Sequence, residues 1–278
     1  MSRNFDNRKR AFADVVSIDA WHEAFDGERG RADLHADVVF GTARVGGEYE
    51  SPVRFRLSIR RAEIVLIIPP SEPVTIDPGS VSRDSPDLPG RVTEVIEQNI
   101  EASAGAKGQF SLNRTSVDGS LSAEAGARTT VSKSRKFELE GAVDFMIVTQ
   151  SKTAEGDYRW SVEPRRSATL HGRPWDAVSK PRAQLVDKRK DRTKGIPPTV
   201  RVEVRCRRED LVIEELTVKD ETRWQSIKSR TGFSNRMAAA ESYIRDRLEE
   251  EGFEAADIQD AFGEITLGTA TAQSGMER

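Results

Sequence analysis

The sequence predicts a mainly β protein: an antiparallel β-sandwich or barrel with a long projecting β-hairpin and a small C-terminal helical unit. Three observations carry that prediction. Apolar residues alternate with polar ones over several short runs, turn residues separate those runs, and helical periodicity is concentrated near the C-terminus. Side chains of a strand point alternately to its two faces, so a period of two marks a strand with one buried side.

The first thirty residues are the least regular. Phe12, Val15 and Val16 fit one helical face, and a weak helix is expected there. Alternation begins at Leu34, Ala36, Val38 and Phe40 and is repeated by Val53, Phe55, Leu57 and Ile59, with Arg54, Arg56, Ser58 and Arg60 on the other side. Ile64 to Ile68 reads as a strand covered on both faces. From 69 to 90 prolines at 69, 70, 73, 78, 86 and 89 mark a long connection, since proline cannot donate to a ladder and disfavours helix before it. Val92, Val95, Ile96 and Ile100 stand at helical spacing, so a short amphipathic helix is expected next.

Residues 101–135 are dominated by Ala, Gly and Ser and resemble a linker in composition. Their order argues for a hairpin. Asp118-Gly119 suits the centre of a type I′ turn, where both residues need positive φ. About that turn Phe110, Leu112, Leu121, Ala123, Ala125 and Ala127 fall on one side, with Lys107, Gln109, Asn113, Ser122 and Glu124 on the other. Arg114 interrupts the apolar side. Strands are expected again from Phe137 to Ile147, from Tyr158 to Val162, from Val200 to Cys206 and from Leu211 to Val218.

The C-terminal unit, 221–278, is expected to be helical with a loose tail. Ser234 is placed to cap a helix from Asn235 to about Glu251, with Gly252 to end it and a preceding helix near 221–230. The turn Thr231-Gly232-Phe233-Ser234 suits a DNA-reading pair of helices, but Glu241, Asp246, Glu249, Glu250 and Glu251 on the second helix would meet phosphates badly. From Gly268 onward small polar residues predict a loose end.

Net charge is only −3, but it is unevenly spread. Between Arg159 and Arg208 fifteen Lys or Arg face five acids, whereas Glu209 to Arg278 carries sixteen acids and eight bases. The basic segment therefore supplies the candidate partner-binding residues: Arg165, Arg166, Arg173, Lys188, Arg189, Lys190, Arg192 and Lys194, with Trp160 and Trp175 among them. Cations mixed with aromatics suit an acidic protein surface or a nucleic acid, through phosphate contacts and base stacking.

Catalytic patterns are missing. His22, His35 and His171 have no metal-ligand spacing, no Gly-x-Ser-x-Gly elbow or phosphate loop occurs, and the lone Cys206 falls on the apolar side of its strand. His35 is expected at the surface. No cofactor or metal is expected. The basic start is followed by no apolar stretch, which predicts a cytoplasmic protein. The reading that follows is non-enzymatic binding or assembly, with the basic segment on an acidic partner and the hairpin on another subunit, in a homo- or hetero-oligomer. Insertion of hairpin 106–131 into a membrane, nucleic-acid binding, and an enzyme whose site is not visible in sequence are the alternatives.

Overall fold

The computed structural model describes residues 7–47, 51, 53–83, 89–100, 131–142, 146–191, 198–218, 230–255, 258 and 260–274. The chain divides into two compact units, one built from 1–88 with 144–278 and the other from Pro89–Val143. The protein is mainly β, with antiparallel sheets stacked in the manner of a sandwich and one helix near the C-terminus.

In the larger unit, a ten-stranded sheet is built from β1 (Arg8–Arg10), β2 (Val16–His22), β3 (Arg31–Phe40), β6 (Ala62–Ile67), β7 (Val74–Ile76), β10 (Met146–Lys152), β11 (Tyr158–Pro164), β12 (Ala183–Asp187), β13 (Val200–Arg207) and β15 (Glu264–Ser274). Its order is β10-β11-β6-β13-β15-β2-β3-β12-β7, with β1 added on β15. All pairings are antiparallel except the short match of Gln273 and Ser274 with Trp21 and His22. A second, three-stranded sheet runs β14 (Leu211–Val218), β5 (Val53–Ile59), β4 (Ala43–Gly46). Val53, Phe55, Leu57 and Ile59 of β5 join Ile18, Leu34, Ile64, Leu66, Val202 and Val204 in one buried core. The alternation read at β3, β5 and β13 is thus the division between that core and the outer faces.

The helix α1 (Arg230–Glu250) closes this core with Ala240, Ile244 and Leu248, all fully buried, and Tyr243 meets Phe55 edge to face at 6.0 Å. Gly252 ends it as its sequence position predicts. At φ 77 it lets its own N–H donate to the Glu249 carbonyl and that of Phe253 to the Leu248 carbonyl, which satisfies two orphan carbonyls of the last turn. The expected helix at 221–230 lies outside the described residues, apart from Arg230, and since α1 already runs through Thr231-Gly232-Phe233-Ser234, that stretch is not the expected turn and Ser234 is not the cap.

Four further expectations are corrected. The N-terminal weak helix is instead two strands: Val16, Ile18, Ala20 and His22 are buried on alternate positions of β2. Residues 92–100 form part of a strand, β8 (Pro89–Ile100), paired with β9 (Val131–Ala142), because short apolar runs fit both periods and pairing decides between them. From Gly268 to Ser274, the last described residue, the tail is not loose. It belongs to β15, which lies between β13 and β2 with Ala270 and Ala272 fully buried, so small residues there mark a crowded strand rather than a solvated end. Finally, His35 is 7% exposed although it stands on the outward side of β3. The 173–177 segment crosses that side: the Ala177 carbonyl lies 2.7 Å from His35 Nδ1, and Trp21, directly opposite on β2, stacks on the ring at 5.2 Å.

Candidate functional site: the 89–143 unit and the basic segment

In the smaller unit β8 and β9 run antiparallel from Pro89↔Ala142 to Ile100↔Val131, twelve residues each, in unbroken register. At about 3.3 Å per residue each arm is about 40 Å long. The register pairs Val92 with Leu139, Glu94 with Phe137, Ile96 with Arg135, Gln98 with Lys133 and Ile100 with Val131. Among the described residues each strand has only the other as neighbour, so the outer edges of the ribbon carry backbone groups without sheet partners. The Asp118-Gly119 turn and the contact residues Phe110, Leu112, Leu121, Ala123, Ala125 and Ala127 lie outside the described residues.

The basic residues of 159–208 are dealt out over β11, β13 and the loops on either side of β12, and several are paired with acids near or far in sequence. Arg159 holds Glu63 with both oxygens at 3.1 Å, Arg173 forks onto Asp37 at 2.8 and 3.2 Å, and Arg189 clasps the buried Asp187. Arg201 and Arg205 share the nearly buried Glu203, Arg205 also reaches Glu264 at 2.8 Å, and Arg208 pairs with Glu241 on α1. Arg165, Arg166, Lys188 and Lys190 are exposed, while Arg192 and Lys194 lie outside the described residues.

Trp160 and Trp175 are each 1% exposed and belong to the core. Their rings meet at 6.2 Å, their indole N–H groups donate to the Ser82 carbonyl at 2.7 Å and the Ala36 carbonyl at 2.6 Å, and their faces are taken by Arg182. A base has no ring there on which to stack. Arg182, which no sequence signal singled out, is buried with its guanidinium 4.1 Å from the Trp175 centroid and 5.2 Å from that of Trp160. It donates one hydrogen bond, to the Ser82 carbonyl, and its Nε and Nη1 have none. Burial without a carboxylate pushes its pKa down to about 10, so it stays a cation at neutral pH.

A groove on the outer side of β11, β6, β13 and β15 gathers Arg61, Glu63, Arg159, Arg205, Asp210 and Glu264. Glu63, Asp210 and Glu264 each hold an arginine there, an arrangement suited to tying strands together rather than to moving protons. Cys206 beneath it is buried, as its sequence position predicts, and burial raises its thiol pKa, which leaves it an inert apolar side chain. Among the described residues no group of His, Cys, Asp and Glu could hold a metal ion.

His22 at the end of β2 is fully buried. Its Nδ1 lies 2.7 Å from the Glu23 carbonyl and must donate to it, which leaves Nε2 without a hydrogen bond. Desolvation lowers its pKa below the ordinary 6.5, against the opposing pull of the Glu23 and Pro198 carbonyls. The unfolded chain therefore takes up this proton first. Stability is expected to be unaffected by His22 above pH 6.5 and to fall as pH drops below it. Thermal melts through that range check this: His22→Gln should flatten the fall, and an unchanged slope would place its origin elsewhere.

No protein-family model matches the sequence, and no curated protein matches it either. Among solved structures the chain is similar to the Clostridium perfringens NetB toxin in its membrane-inserted form, with 10% identity and a TM-score of 0.28 over 68% of this chain and 83% of that one. That is a distant likeness. No helix among the described residues is long and apolar enough to cross a membrane.

Proposed function

We propose that this chain is a non-enzymatic subunit of an assembly in which ribbons from several copies pair edge to edge and cross a lipid bilayer as a closed β-barrel. The observation that carries the reading is the unbroken β8–β9 ribbon forming a compact unit of its own. A lone two-stranded ribbon is marginal in water, and its free edges invite further strands. In a bilayer those edges have to be closed, because no water is present to satisfy them. Residues 106–131, which continue the ribbon in sequence, alternate small apolar with polar residues over the length a membrane strand needs.

Assembly on an acidic partner without insertion rests on the exposed cations Arg165, Arg166, Lys188 and Lys190. The internal pairing of Arg159, Arg173, Arg189 and Arg205 leaves that surface weaker than the charge count implies. The two readings part on one measurement. Insertion predicts release of dye from liposomes, lost when Ala125 is changed to Asp while the melting temperature is kept, since a carboxylate on the lipid side of a barrel strand opposes insertion. Leakage indifferent to Ala125→Asp, or none under any lipid composition, would remove the ribbon from a membrane role.

A further inference from the structure

The outer side of the three-stranded sheet carries an arrangement that the ribbon does not explain. Arg44 of β4 and Arg56 of β5 stand directly opposite each other in register. Like charges so placed repel across neighbouring strands. Both guanidiniums are held by one carboxylate: Glu215 Oε2 lies 3.3 Å from Arg44, and Oε1 lies 3.2 Å from Arg56. The carboxylate reaches them from a bulge in β14, where pairing with β5 shifts between Glu214 and Thr217.

Glu215 has φ 51, and among the described residues no other non-glycine residue has a positive φ. A left-handed conformation costs a residue with a Cβ about 1 kcal/mol or more. A sheet edge has no need of that cost. Two further features complete the site. Arg54, two residues from Arg56 on the same side of β5, is exposed and makes no ion pair among the described residues. Its stem lies over Gly47, at φ 86, where a Cβ would sit 3.1 Å from the arginine Cδ. Arg44, Arg54, Phe55, Glu215 and Thr217 line a shallow cleft, and Arg56 reaches the same Glu215 from beside it.

We propose that this cleft binds a phosphate group, free or on a lipid headgroup, with Glu215 as an internal stand-in for the ligand. Two guanidiniums that each meet one oxygen of a carboxylate through a single nitrogen can turn the same nitrogens to two oxygens of a phosphate, which brings more charge and a third acceptor for Arg54. Glu214, in register with Arg56, is the acid that remains when Glu215 is displaced, so the occupied site still holds three cations to one carboxylate. Displacement also frees Glu215 from its left-handed backbone, which offsets part of the lost ion pairs. The site does not depend on the ribbon crossing a bilayer.

The test compares three full-length variants with the parent. Glu215→Gly removes the internal competitor and suits the existing φ, so the fold is retained and phosphate is expected to bind about tenfold more tightly. Arg56→Gln should weaken binding by about tenfold. Arg29→Gln, an equal change of charge on an exposed turn elsewhere, should leave it unchanged.

Binding is read by calorimetry with inorganic phosphate and by co-sedimentation with phosphatidylcholine vesicles, with and without phosphatidic acid. Variant-dependent binding in the calorimeter identifies free phosphate as a ligand, and variant-dependence confined to phosphatidic-acid vesicles identifies the headgroup. A Glu215→Gly protein that melts like the parent but binds neither probe more tightly would overturn the proposal, as would an Arg56→Gln protein that binds like the parent.

Discussion

A chain truncated after Gly263 is expected not to fold. Removing β15 takes away the strand between β13 and β2 and the ladder on which β1 is laid. It also uncovers the core against which Ile265, Leu267, Ala270 and Ala272, all at most 1% exposed, are packed. Burial of two large aliphatic side chains alone is worth about 3–6 kcal/mol, and the unpaired backbone of β13 adds to the loss. Native proteins are stable by only about 5–15 kcal/mol. Far-ultraviolet circular dichroism and the soluble fraction would show it: a chain ending at Ser274 should keep the sheet signal, and one ending at Gly263 should lose it. Retention of a cooperative melt by the shorter chain would mean that β13 and β2 can close the sheet without β15.

The second large effect is expected at the two tryptophans. Trp160→Ala should cost about 3–5 kcal/mol, since it empties a fully buried site and strips the Ser82 carbonyl of its 2.7 Å donor. Arg182→Met is expected to behave differently. It keeps the volume between the rings while removing a cation that has two unsatisfied nitrogens, so its stability should lie within about 1 kcal/mol of the parent or above it. Denaturant unfolding of both variants gives the comparison. If Arg182→Met loses as much as Trp160→Ala, the cation between the rings is itself a principal source of stability.

Where one face of a strand is buried, the sequence says so plainly: Val53, Phe55, Leu57 and Ile59 could be read as β5 because arginines separate them. Legibility failed where the burial signal is carried by small or polar residues. Ala270 and Ala272 in β15 have the composition of a loose tail and the environment of a core. At His35 the outward parity was right, and a loop more than 130 residues away covered it. The two tryptophans of the candidate interface were read as binding residues, rather than as core, for a related reason. A count of charge along the chain sees Arg173 but not Asp37 folded against it, and it adds Arg182 to the basic total without showing that two tryptophan rings enclose it. The Arg44–Arg56 pair was equally hidden. Arg54, Arg56 and Arg60 were visible as the polar side of one strand, but the facing arginine and the carboxylate that bridges it arrive from β4 and β14.

The pairing of Arg8 with Ala270 and of Arg10 with Gly268 bears on how the protein is made. During synthesis the first strands emerge early and wait for a partner more than 250 residues behind them. Until residues 264–274 leave the ribosome, β13 and β2 both present bare edges, and the nascent chain is at its most exposed to wrong pairing. Contacts of such sequence separation also slow closure. Refolding from denaturant is therefore expected to be slow for the protein's size, and the yield to fall with concentration as chains meet each other before their own termini do.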